Sequence, residues 1–103
     1  MSERLEAMQA MLADNPDDAF CLYGIAQEYL NDGACDVAVG YFDKCLKVDP
    51  DYLYAYYHKA RALEELDRID DAIRTLEAGH TRANAAGDAQ AISEIAGYLD
   101  ILR

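Results

Sequence analysis

Sliding the sequence along itself by 34 residues lays Pro16 on Pro50, Asp17 on Asp51, Tyr23 on Tyr57, Ala26 on Ala60, Asp36 on Asp70 and Ala38 on Ala72. No other feature limits the fold as sharply, because a period of this length belongs to architectures in which one supersecondary unit is copied and stacked. Many positions that differ keep their character: Phe20 over Tyr54, Leu22 over Tyr56, Tyr29 over Leu63, Val39 over Ile73 and Phe42 over Leu76.

Inside a period the apolar residues fall at helical spacing. Leu22, Ile25, Ala26 and Tyr29 occupy i, i+3, i+4 and i+7, and Val37, Ala38, Tyr41, Phe42 and Cys45 repeat that pattern after Asn31-Asp32-Gly33. Each period is therefore a pair of helices. Gly33 suits the left-handed stop of the first helix, and Asp36 is expected to cap the second with its side chain. Asp70 is expected to do the same in the second period, where Asp67 replaces Gly33. Pro50 ends the second helix of the first pair, and Pro16 ends an earlier helix over roughly Ser2 to Asp14 with Leu5, Met8, Met11 and Leu12 on one face. The run Tyr52-Leu53-Tyr54-Ala55-Tyr56-Tyr57 has strand propensity, yet the register lays it over a helical segment and predicts helix. A helix beginning near Ala72 runs to about Ala86, where Gly87 stops it and Asp88 caps the next. That last helix carries Ile92, Ile95, Ala96, Leu99 and Leu102 along one stripe, with Ile101 surplus to it.

These residues resemble the tetratricopeptide repeat. The first copy presents Leu22, Ile25-Ala26, Tyr29, Ala38, Phe42 and Pro50 at the family's spacing, and the second presents Tyr56, Ala60, Leu63, Ala72 and Leu76. The second departs where Lys59 replaces a large apolar residue, where Asp67 replaces the turn glycine, and in lacking a closing proline. The resemblance implies an all-α, right-handed helical-repeat solenoid of antiparallel helix pairs with about six helices. Residues 1–103 then form one domain: an N-terminal half-repeat helix over 1–14, repeats over 19–52 and 53–86, and a capping helix over 88–102. Ala26, Ala38, Ala60 and Ala72 are small where paired helices approach most closely.

A helical wheel at about 100° per residue puts Phe20, Tyr23, Gly24, Gln27 and Asn31 opposite the packing stripe of the first helix. Tyr54, Tyr57, His58, Arg61 and Glu65 lie likewise in the second copy. The resemblance implies that these residues line a concave, peptide-binding groove. Repeated aromatics there suit apolar anchors, although Phe20 and Tyr54 can equally pack against an adjacent helix. Glycine inside a helix costs about 1 kcal/mol against alanine, so Gly24 is expected to leave a hollow in the groove wall. Some members of the family clamp a C-terminal carboxylate with Lys and Asn on this face. Phe20, Gly24, Tyr54 and His58 stand in the corresponding places, which disfavours chaperone C-terminal tails as ligands. The inventory favours a peptide with an aromatic or aliphatic anchor beside a Lys or Arg.

Composition narrows the classes of work. A chain of 103 residues with 52% apolar residues supports one core. Twenty Asp and Glu against nine Lys and Arg give a net charge of -11, the wrong sign for nucleic acid or an anionic membrane. No apolar run is long enough for a leader or a span, so a cytoplasmic location is expected. Cys21, Cys35 and Cys45 are odd in number and lack a CxxC pair, so they read as buried thiols and not as disulfide or zinc ligands. The acid pairs Asp17-Asp18, Glu64-Glu65 and Asp70-Asp71 read as helix-start or solvated charge and not as a metal site. His58, His80 and the serines Ser2 and Ser93 assemble no nucleophile, base and orienting group, so neither a catalytic residue nor a cofactor is assigned. Two readings remain: an adaptor that binds a protein or peptide, or a structural subunit that forms a homodimer or larger homo-oligomer through its terminal helices.

Overall fold

Six helices make up the computed structural model, which describes residues 3–103: α1 (Glu3–Asp14), α2 (Ala19–Asn31), α3 (Cys35–Val48), α4 (Leu53–Glu65), α5 (Ile69–Ala86) and α6 (Ala89–Leu102). There is no strand among the described residues, and the Tyr52–Tyr57 run is helical from Leu53 onward. Ser2, placed at the start of the first helix by the sequence, lies outside the described residues.

The turns after α2, α4 and α5 share one geometry, and it corrects the expected caps. Gly33, Asp67 and Gly87 take positive φ values of 82°, 59° and 69°. The next residue's N–H then reaches back five positions, Ala34 to Tyr29, Arg68 to Leu63 and Asp88 to Ala83, which closes the preceding helix. That same residue is the N-cap of the following helix. The cap position therefore falls on Ala34 and Arg68, which make no side-chain cap bond, and not on Asp36 and Asp70, which sit in the first turn. Their carboxylates act there on the helix dipole. In the third such turn the shared position is Asp88, whose Oδ1 accepts from the Ala91 N–H at 3.0 Å. Asp18 caps α2 in the same way, accepting from Cys21 N at 3.1 Å. Asp67 does glycine's work because a short polar side chain tolerates the left-handed region better than most.

Short connections force neighbouring helices antiparallel. Each helix packs on the next, and among the described residues the only other close approaches are α2 with α4 and α4 with α6. The result is a slab 37 × 29 × 19 Å, two helices thick. One layer is α2, α4 and α6; α3 and α5 form the other.

Ala26, Ala38, Ala60 and Ala72 are all fully buried, as close helix contact requires. One core cluster centres on Leu22, Phe42 and Cys45, and the other on Leu63, Leu76 and Ile95, with Val39 packed against both. In α6 the inner face is Ala91, Ile95, Tyr98 and Leu99; Ile92, Ala96 and Leu102 of the expected stripe are half-buried, and Ile101 is 78% exposed. Lys59, at a position of apolar character in the repeat, lays its stem on the core while its Nζ reaches Asp43 of α3 at 2.6 Å.

Every ion pair among the described residues has at least one well-exposed partner. Each such pair contributes at most about 1 kcal/mol, too little to offset the self-repulsion of a net charge of -11. Added NaCl up to about 1 M should therefore raise the melting temperature by screening. A flat or falling melting curve series across that range would show that net repulsion is a minor destabiliser.

Candidate functional site

The layer formed by α2, α4 and α6 carries a row of rings. Tyr23 of α2 lies 5.8 Å from His58 of α4, His58 lies 5.4 Å from Tyr57, and Tyr57 lies 5.2 Å from Tyr98 of α6. Tyr52, in the loop before α4, adds a ring 4.8 Å from Tyr23. The row is supported from beneath, where Phe42 meets Tyr23 edge-on at 6.0 Å and stacks at 6.5 Å from His58. Offset and edge contacts of this kind hold rings in fixed orientations.

Beyond Tyr57 and Tyr98 an open hollow of about 460 Å³ is rimmed by Arg61, Glu64, Glu94 and Ile101. The Tyr98 hydroxyl donates to Glu64 Oε1 at 2.5 Å. Burial raises the Tyr98 phenol, and the Glu64 bond raises it further. Burial also pushes the Tyr23 phenol up to about 12, with Tyr52 beside it adding to the effect. His58 is moved the other way: burial, helped by the Arg61 charge, holds its imidazole below the ordinary value. At neutral pH it is an uncharged ring in the row, and Arg61 is the cation of the site.

The sequence-derived residues fall in three places. Tyr23, Tyr57, His58 and Arg61 belong to the ring row and its hollow. Asn31, Arg61 and Glu65 meet around a second, smaller hollow of about 320 Å³ beside Cys35. Phe20, 65% exposed, stands apart at the start of α2, and Gln27 is half-buried. Tyr54 is half-buried against the second core cluster, so for this residue packing against a neighbouring helix accounts for the side chain. The hollow expected at Gly24 is filled. Gly24 is buried, and a Cβ there would lie 2.7 Å from Met8 Cε, so its missing side chain admits α1.

Tyr98 and Glu94 were not singled out as site residues by sequence reasoning, whereas Glu64 was noted beside Glu65. A signal for α6 was present: Ile92, Ile95, Ala96 and Leu99 repeat the spacing of Leu22, Ile25, Ala26 and Tyr29. They fall out of the strict register because α5 has 18 residues where α3 has 14. Glu94 and Tyr98 lie off that stripe, on the side of α6 where the Tyr98 ring meets Tyr57 of α4.

The cysteines are free and buried. Burial raises the thiols of Cys21 and Cys35, and raises Cys45 to about 12, the direction of an unreactive thiol. Asp71 is held below the usual carboxylate range by hydrogen bonds from Arg68 and Arg74, so this member of the Asp70-Asp71 pair is engaged in surface ion pairing. No group of three or more metal-ligating side chains exists among the described residues, and no helix there is long and apolar enough to cross a membrane.

Comparison with known proteins agrees with this architecture. A TPR repeat-containing protein of Pseudomonas aeruginosa is 27% identical over 95 residues, covering 92% of this chain and 90% of that protein. The solution structure of a tetratricopeptide repeat domain protein from Salinibacter ruber superposes with a TM-score of 0.80 at 35% identity, covering 86% of this chain and 90% of that one. The TPR2B domain of yeast Sti1, in complex with pHsp70, superposes with a TM-score of 0.89 at 22% identity, over 95% of this chain and 78% of that one. Residues 2–79 match the family described as anaphase-promoting complex, cyclosome, subunit 3. With its 34-residue register, its helix pairs and this match over most of its length, the chain belongs to that tetratricopeptide-type family.

Proposed function

We propose that the chain is a non-catalytic adaptor whose α2–α4–α6 face binds an extended or helical peptide. The observation that carries this reading is the ring row from Tyr23 to Tyr98, which spans three helices and opens into a hollow holding one cation and two carboxylates. Rings fixed by one another offer apolar contact at little entropic cost, the property of binding hot spots. Glu64 and Glu94 suit a Lys or Arg beside the anchor, while Arg61 takes a single carboxylate. A strongly acidic ligand is opposed by the field of the whole domain. The yeast domain of the same fold, in its complex with pHsp70, supports a binding role at the level of fold alone. On this reading α1 is a half-repeat, α2–α3 and α4–α5 are the repeats, and α6 closes the groove.

Association through the terminal helices is the less favoured arrangement. The outward residues of α1 include Glu3, Glu6 and Asp14, and Asp100 is exposed on α6, so copies meeting there juxtapose like charges.

Panning a random peptide display library on the protein should enrich an aromatic or aliphatic residue next to Lys or Arg. Tyr57→Ala should weaken a selected peptide by about 1 to 2 kcal/mol, whereas Glu77→Ala, on the exposed face of α5, should leave it unchanged. Peptides indifferent to a combined Tyr54→Ala, Tyr57→Ala and Arg61→Ala variant that still melts cooperatively would show that the face is wrongly chosen.

A further inference from the structure

Among the described residues, six of the nine basic side chains lie in ion pairs: Arg4, Lys59, Arg68, Arg74, Arg82 and Arg103. The three without a carboxylate partner are Arg61, Lys44 and Lys47. On a chain with 20 acidic residues an unpaired cation is the exception, and each of these stands at the edge of an open hollow. Arg61 belongs to the ring-lined site. Lys44 and Lys47 belong to a different place.

That place is a cleft of about 690 Å³ between the end of α1, the loop that follows it, and the second half of α3. Its apolar lining is Leu12, Pro16, Leu22 and Val48, with Tyr41 beside them. Val48 is 42% exposed and Leu12, on the facing wall, is half-buried, so apolar surface stays uncovered in the cleft. Tyr41 is itself fixed by stacking on Tyr29 at 5.6 Å. The Lys44 ammonium lies 4.7 Å from the Tyr41 ring centroid, a cation–π contact that holds it at the cleft edge. Lys47 is one helical turn further along the same face of α3. The opposite wall carries Asp17.

We propose that this α1–α3 cleft is a second docking site, for a peptide segment that sets a bulky apolar residue between carboxylates. The apolar floor receives the anchor, and Lys44 and Lys47 receive the acidic flank. Asp17, on the far wall, repels carboxylates and so turns them toward the lysines. The charge preference is opposite to that of the ring-lined face, so one small domain would hold two partners of different character at once.

The test uses a short synthetic peptide, Gly-Ser-Asp-Leu-Phe-Glu-Ser-Gly with blocked ends, whose two carboxylates flank the anchor without making it strongly acidic, titrated into the full chain and followed by amide NMR. The expected shifts centre on Leu12, Tyr41, Lys44, Lys47 and Val48, and a copy with Lys in place of its acids should not produce them. Lys44→Gln with Lys47→Gln should weaken binding on the order of tenfold, and Val48→Asp should do the same without touching either lysine. Arg74→Gln with Arg103→Gln makes an equal change in net charge elsewhere, at exposed residues outside both sites, and should leave affinity within about twofold. Shifts centred on α4 and α6, or undiminished binding to the lysine double variant, would overturn the assignment. A mass that rises with protein concentration, and does so only while both lysines are present, would also overturn it by giving the cleft to a second copy of the chain.

Discussion

Phe42→Ala should cost roughly 3 to 5 kcal/mol of stability, the range for deleting a buried aromatic side chain. Phe42 is fully buried in the cluster that also holds Leu22, Ala26, Ala38, Cys45, Ala55 and Ala62. Its neighbours offer little means of collapse. Three of the four alanines lie on α2 and α4 and the fourth on α3 between them, and moving any of these helices inward separates it from its other partner. A domain of this size has a total stability near the low end of about 5 to 15 kcal/mol. The variant should therefore be unfolded to a measurable extent without denaturant, and its urea midpoint by circular dichroism should fall by more than about 1 M. Tyr23 and His58 both rest on Phe42, so whatever fraction remains folded should also bind groove peptides less well. Met11→Ala, on a side chain 55% exposed, is the matched control and should shift the midpoint little. A loss under about 1 kcal/mol for Phe42→Ala would mean that the two repeats do not share the packing their register assigns.

Much of this was legible because punctuation and period agree. Pro16 and Pro50, Gly33 and Gly87 bound helices that the apolar spacing had already outlined. What escaped was decided by contacts between elements. Asp36 and Asp70 look like caps until the turn is seen to close by a bond from the residue two places earlier, a geometry that leaves the cap to Ala34 and Arg68. Gly24 looks like a hollow because a helical wheel cannot show that Met8 arrives from α1. The ring row is half legible: Tyr23 and Tyr57 coincide under the repeat shift, but Tyr98 enters only because the longer α5 delays α6. The α1–α3 cleft was invisible for a related reason. It is lined from α1, the loop after it, α2 and α3, and no spacing within one helix shows how separate helices stand to one another.

Gly79→Ala should destabilise by roughly 1 to 3 kcal/mol, whereas Gly40→Ala should stabilise by about 0.5 to 1 kcal/mol. Sequence alone treats the two alike, as glycines in helix interiors that forgo the propensity of alanine. Their surroundings differ. A Cβ on Gly40 would meet nothing within 4 Å, so only the gain in helix propensity remains. A Cβ on Gly79 would lie 2.6 Å from Tyr56 Cβ and 2.9 Å from its Cγ. Tyr56 has no freedom to swing aside, because it is 9% exposed and its hydroxyl donates to the Pro50 carbonyl at 2.6 Å. Relief requires α5 to draw back from α4, which opens the cluster around Leu63 and Leu76. The first pair shows why glycine stands here: the two equivalent repeat positions hold Leu22 and Cys45, both buried in one cluster, and where leucine becomes the larger tyrosine the cysteine becomes glycine. Melting temperatures of the two variants should move in opposite directions from the parent. A rise for Gly79→Ala would show that α4 and α5 stand further apart than this packing allows.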